Sequence, residues 1–275
     1  QIYPYTDVIV SGNEPFIESL KEERNEIVIN FYKEVTQRIH NYIIGQEREI
    51  PLFVGAVNQV WEPLFWDDFH EKDFVQYAAE TPWIAGVDVH IHHQTMEEFD
   101  TSLKRISELL RDDQKIIATE FSLMKYWKSH TSEPIPQIMS EKYGYDSAWK
   151  VYEYIGHAVK NRAQITREEW EDFLGSCSWY TDAQDYLLEA YGRFLQDRHF
   201  YAATYGMYIF WGTSNAFTDT TDPWLLNPLF ATSTVQNGED NRYQPNYKML
   251  ENFQLIQEMM VSENAYVQGA LDTPS

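Results

Sequence analysis

Short apolar runs alternate with longer stretches of helical period, and no other feature of this chain restricts its fold as much. That alternation is the sequence signature of βαβ units and a parallel sheet. The first run covers 7–10 and is followed by the turn-forming Ser11, Gly12, Asn13, Glu14 and Pro15. Over 16–44, Ile27, Ile29, Phe31, Val35 and Ile39 form a loose apolar stripe among Glu, Lys and Arg, which predicts a helix. Strands are expected over 51–57, 84–91 and 116–118, with helices over 67–79 and 96–110 between them. These spacings suit right-handed crossover connections. From about 124 to 200 the rhythm gives way to helical character, with segments over 145–159, 168–174 and 182–195, which reads as a helical insertion. A final strand over 205–211, a polar loop, a turn-rich stretch over 218–245 and a helix over 247–259 complete the pattern.

Charge narrows the function. The chain has 43 acidic and 21 basic residues and a formal charge of −22, a field that repels phosphate backbones and anionic lipid. No nucleic-acid or membrane partner is expected, and no apolar run approaches the roughly 18 to 20 residues of a bilayer-spanning helix. Cys177 is the only cysteine, so an internal disulfide and a cysteine-based metal cluster are both excluded, and the thiol reads as a buried small hydrophobe. Nine Trp and nineteen Tyr in an acidic chain suit neutral sugar rings, which offer apolar faces for stacking and hydroxyls for carboxylates, although much of this aromatic content must be core. Nothing at Gln1 resembles a charged region followed by an apolar one, so targeting is not legible.

In parallel sheets, functional side chains gather at the carboxyl ends of strands. Here those ends carry Asn13 and Glu14, then Asn58 and Trp61, then Asp88, His90 and His92, then Glu120, and last Trp211. Spacing by two directs Asp88, His90 and His92 to one face of their strand. Glu14 and Glu120 are the sharpest of these, since each follows an apolar run where a charge is otherwise costly. Two carboxylates facing across a pocket are what glycoside hydrolysis needs. Taken alone, Asn13-Glu14-Pro15 is also an ordinary helix start.

Ser11-Gly12-Asn13-Glu14-Pro15 and Ile116-Ile117-Ala118-Thr119-Glu120-Phe121 together resemble the retaining glycoside hydrolases of the (β/α)8-barrel clan, typified by β-glycosidases, β-mannanases and endoglucanases. In that clan an Asn-Glu pair closes the fourth strand and a second Glu ends the seventh, with two strands between. The resemblance implies an α/β fold of (β/α) TIM-barrel type, incomplete here. Five βα units would be the fourth to the eighth strands of one catalytic domain over 1–275, with the helical insertion at about 124–200. It implies Glu14 as general acid and base, Glu120 as nucleophile, and Asn13, Trp61, His90, His92 and Trp211 as substrate-binding residues. No cofactor and no metal are implied, and the partner is an oligosaccharide or polysaccharide. The clan places a Tyr where His92 stands. The absent first three strands imply either a longer protein or a partial barrel that self-associates through unpaired edges. Polymer-degrading relatives are often exported, so an extracellular or periplasmic location is the expectation.

Two other readings differ in kind. His90-Ile91-His92 is similar to the zinc-binding pair of amidohydrolase barrels, but those need further His and Asp ligands on later strands, which are not evident here. A non-catalytic carbohydrate-binding or inactive barrel fragment would keep the pocket without turnover.

Overall fold

The computed structural model describes residues 5–24, 26–46, 49–209, 217–238 and 240–271. Five strands, β1 (Ile9–Ser11), β2 (Leu52–Asn58), β3 (Gly86–His92), β4 (Lys115–Ser122) and β5 (Phe200–Ala203), form one parallel sheet in chain order. The expected α/β class and parallel sheet are therefore present. β2 and β3 are buried along their whole length, as their Val- and Ile-rich sequences require of strands covered on both faces.

Two compact units divide the chain, one comprising 1–122 with 194–205 and the other 123–193 with 206–275. In the first, the helix expected over 16–44 is broken into α1 (Pro15–Glu18), a 3-10 turn (Lys21–Glu23) and α2 (Glu26–Ile44). α3 (Glu71–Glu80) and α4 (Met96–Ser107) connect the next strands. Thr95 starts α4 with a capping box: its hydroxyl accepts from the Glu98 amide at 3.3 Å, and the Glu98 carboxylate accepts from the Thr95 amide. Phe99, Leu103 and Ile106 follow at helical spacing and are buried.

The strand expected over 205–211 is a correction. β5 lies earlier, at Phe200–Ala203, where it pairs with Ile116–Ala118 of β4, and residues 205–209 form no strand. The longer apolar run after Gly206 drew the expectation away from a short, largely exposed strand whose pairing a period cannot register. Trp211, expected at the end of that strand, lies outside the described residues. β4 also extends to Ser122, so Glu120 sits within the strand instead of after it.

The second unit contains α5 (Met124–His130), α6 (Gln137–Tyr143), α7 (Val151–Lys160), α8 (Arg167–Ser176), α9 (Ser178–Asp182), most of α10 (Tyr186–Gln196) and α11 (Met249–Leu271). Its core is aromatic: Trp127 stacks on Tyr180 at 4.9 Å, and Tyr154 meets Phe173 at 4.3 Å. Asn246 joins the C-terminal segment to this core, accepting from the Trp170 indole at 3.0 Å and donating to loop carbonyls. Buried Glu169 accepts from the hydroxyls of Tyr145 at 2.6 Å and Tyr154 at 3.1 Å. Much of the tryptophan content is thus structural. Cys177 is buried, as its reading as a small hydrophobe expects.

Gly86 sets how closely β3 and β4 approach. A Cβ there would lie 1.8 Å from the Lys115 carbonyl oxygen, so backbone would have to move. Gly86→Ala is expected to lower the stability to urea by about 1–3 kcal/mol, read as the shift of the denaturation midpoint. An unchanged midpoint would show that the strands can separate freely at this position.

Candidate functional site

The site lies in the first unit, at the carboxyl ends of β1 to β4. Gly12 makes the turn after β1: it has φ 145, and a Cβ there would stand 2.2 Å from the Gly55 carbonyl oxygen. Two residues later Glu14 adopts a left-handed backbone, φ 44 and ψ 55, and caps α1, its carbonyl accepting from the amides of Ile17 at 2.9 Å and Glu18 at 3.0 Å. Pro15 follows at the first helical position, where its missing N–H costs nothing. A left-handed backbone costs a non-glycine residue roughly 1–3 kcal/mol, and such residues cluster where a side chain must be aimed. Here it is the Glu14 carboxylate that is aimed, onto the ends of β2 and β3.

Parallel pairing supplies the facing wall. His90 is registered with Glu120, and His92 with Ser122. Glu14 Oε1 accepts from Asn58 Nδ2 at 2.5 Å and lies 2.7 Å from His90 Nδ1. Glu120 Oε2 lies 3.8 Å from His90 Nδ1 and 3.6 Å from His92 Nε2. The Glu14 and Glu120 oxygens and the two inner imidazole nitrogens all fall within 4.8 Å of one another. Both histidines are buried, whereas the Glu120 side chain is 49% exposed and opens the cluster to solvent.

A second layer of hydrogen bonds fixes both rings. Thr119 Oγ1 donates to Asp88 Oδ2 at 2.6 Å and stands 3.0 Å from His90 Nε2, so it accepts the proton of that nitrogen. Asp88 also accepts from the Thr119 amide at 3.0 Å. With Nε2 donating, the contact between His90 Nδ1 and Glu14 holds one proton between carboxyl and imidazole. His92 Nδ1 lies 2.8 Å from Ser122 Oγ, which leaves Nε2 toward Glu120. Burial works against a charged His90, but contact with Glu14 and the charges of Glu120, Asp88 and Glu14 outweigh it and raise its pKa. The His92 imidazole beside Glu120, helped by His90, holds that carboxyl below its usual range against partial burial. Burial raises Asp88, with the bonds from Thr119 opposing.

Beneath Asn58 lies Glu71, fully buried, accepting from the Asn58 amide at 3.0 Å through Oε1. Desolvation, with a smaller push from Glu14, lifts its pKa well above the ordinary 4.5, so the folded protein keeps a neutral acid there.

Of the residues expected at the site, Glu14, His90, His92 and Glu120 converge. Trp61 stands beside them, half-buried, its indole donating to the His92 carbonyl at 3.4 Å. Asn13, expected to bind substrate, is exposed, and the donor to Glu14 is Asn58. Thr119, Ser122 and Glu71 were not anticipated. Asp88 was legible from its spacing to His90, but the hydroxyls that join it to the rings depend on strand pairing.

Comparison of the chain with protein-family models, curated proteins and solved structures finds no match. Among the described residues no helix is long and apolar enough to cross a membrane.

Two outcomes follow from the hydrogen-bond layer. Thr119→Val strips His90 and Asp88 of a partner while keeping shape, and is expected to cost about 1–3 kcal/mol in chemical denaturation, largely recovered in Thr119→Ser. Equal stability of all three proteins would mean that the hydroxyl does not hold the ring. For Glu71, the folded pKa lies above the unfolded one. The native state therefore holds the extra proton, and stability is lost as pH rises from the unfolded pKa through the folded one. Glu71→Gln removes this titration, so its denaturation midpoint should gain on the parent as pH rises above the ordinary carboxyl pKa. A constant difference would place the parent's Glu71 carboxyl at its ordinary pKa.

Proposed function

We propose that this chain carries the last five βα units of a (β/α)8-type barrel and hydrolyses β-glycosidic bonds with retention of configuration. The carrying observation is the approach of the Glu14 and Glu120 carboxylate oxygens to within 4.8 Å at the carboxyl ends of parallel strands. Retaining enzymes hold their two carboxyls roughly 5 to 5.5 Å apart, whereas inverting ones leave about 6.5 to 9.5 Å for a water. The order of the strands, with Glu14 after the first and Glu120 on the fourth, agrees with the clan pattern.

In this reading the roles divide by environment. Glu120 is held ionised by the imidazoles and reaches toward solvent, which suits a nucleophile. Glu14 and His90 hold a proton between them, which suits a general acid. Glu120 attacks the anomeric carbon as the bond to the leaving oxygen breaks, and Glu14 delivers its proton to that oxygen. Glu14 then takes a proton from water as the water's oxygen displaces Glu120 from the anomeric carbon. Asn58 keeps the Glu14 carboxyl oriented through both steps, and half-buried Trp61 offers an edge for a sugar ring.

A panel of aryl β-glycosides tests this reading. The parent protein should release the aryl group and yield first the β-anomer of the sugar, followed by NMR. Glu14→Gln and Glu120→Gln should each lower kcat by about 10²–10⁴-fold or more. Undetectable and equal activity in all three, with measurable oligosaccharide binding, would replace hydrolysis by binding alone.

A further inference from the structure

The four side chains at the strand ends also form a set of metal donors. Glu14 Oε1 and His90 Nδ1 are 2.7 Å apart, His92 Nε2 and Glu120 Oε2 3.6 Å, and the cross pairs Glu14–His92 and Glu120–His90 both 3.8 Å. A tetrahedral zinc ion with bonds of about 2.0 to 2.1 Å places its donors about 3.3 Å apart. No two of these atoms are more than 4.8 Å apart, so no pair needs to close by more than about 1.5 Å to reach that edge.

The outer nitrogens carry the second, independent observation. A metal-binding imidazole ordinarily donates its far N–H to a carboxylate, carbonyl or hydroxyl group, which fixes its tautomer and turns the lone pair toward the metal. Here His90 Nε2 is held by Thr119, itself tied to Asp88, and His92 Nδ1 by Ser122. Both rings are buried on one strand and rigidly spaced, and half-exposed Glu120 provides a way in from solvent. Two carboxylates and two imidazoles suit zinc, copper(II) or nickel(II). They do not suit magnesium or calcium, which take oxygen donors in larger number.

We propose that Glu14, His90, His92 and Glu120 bind one divalent cation of the zinc class, and that this cation and a glycoside exclude each other. Binding stands apart from the hydrolase reading, while the exclusion rests on it. A cation joined to both carboxylates occupies the nucleophile and displaces to solvent the proton that Glu14 would deliver.

The test uses the full chain, freed of metal with a chelator, and zinc alone as the probe, titrated calorimetrically in a buffer that does not coordinate metals. One equivalent should bind, and magnesium should not compete. His92→Ala and Glu120→Gln should each weaken binding at least about 10-fold, and Ser122→Ala, which frees a ring without removing a donor, by about 10–100-fold. His130→Ala, at the surface pair with Glu133, should leave it unchanged. Absence of binding, or binding that His130→Ala moves and His92→Ala does not, overturns the proposal. If the metal-free protein hydrolyses aryl glycosides, one equivalent of zinc should suppress that activity and chelator restore it. Zinc binding at these residues without any hydrolysis sustains the metal site and removes the hydrolase reading. Hydrolysis without zinc binding overturns the metal site alone.

Discussion

The parallel pairing of β3 with β4 is the constraint on which the candidate site depends. It sets His90 opposite Glu120 and His92 opposite Ser122. Because side chains alternate across a strand, a slip of one residue would turn the imidazoles away from the carboxylate and leave two buried rings without partners. Gly86 at the start of the pair permits the close approach to Lys115 that holds this register, and its backbone has no room for a side chain. From there Asp88, Thr119 and His90 form a continuous line of hydrogen bonds to Glu14, so the interior of the sheet is linked to the turn after β1.

The site concentrates polar groups where burial would ordinarily penalise them. Asp88, His90, His92, Asn58 and Glu71 are all buried, and all but Glu71 lie on strands otherwise composed of Val, Ile, Leu, Phe, Ala and Gly. Each is tolerated through a named partner, or, for Glu71, through keeping its proton as well. Stability here is given up in return for orientation: a left-handed Glu14, a neutral acid beneath Asn58 and two buried imidazoles are unfavourable choices for folding alone. The cluster that sets Glu14 2.7 Å from His90 is also suited to receive a small cation, so the proposed proton chemistry and the proposed metal binding would compete for one location.

The parts legible from sequence were those governed by local rules. Period and turn chemistry located β2, β3 and α4, whereas the capping box of Thr95 and Glu98 that starts α4 emerged only with the structure. Spacing by two put Asp88, His90 and His92 together, and polar residues closing apolar runs marked Glu14 and Glu120. What sequence could not supply was pairing. Thr119 and Ser122 look like ordinary strand residues until β4 is set beside β3, and Asn58 reaches Glu14 only because β2 lies next to β1. The misplaced fifth strand has the same origin, since Phe200–Ala203 is short and exposed and is defined by its ladder with β4 rather than by its own composition. Tryptophan content was ambiguous for a related reason: Trp127, Trp170 and Trp179 are core of the helical unit, which no count of aromatics distinguishes from sugar platforms.

In the proposed hydrolysis Glu120 attacks an anomeric carbon while Glu14 manages the proton, a step that trapping the covalent intermediate would reveal. The protein would be incubated with a panel of 2-deoxy-2-fluoro β-glycosides bearing a fast leaving group, which form the glycosyl-enzyme readily and release it slowly, and then digested for peptide mass spectrometry. One added sugar is expected on the peptide that carries Glu120, and none in Glu120→Gln. A label on Glu14 or elsewhere, or turnover of the parent glycosides with inversion and no label, would contradict it.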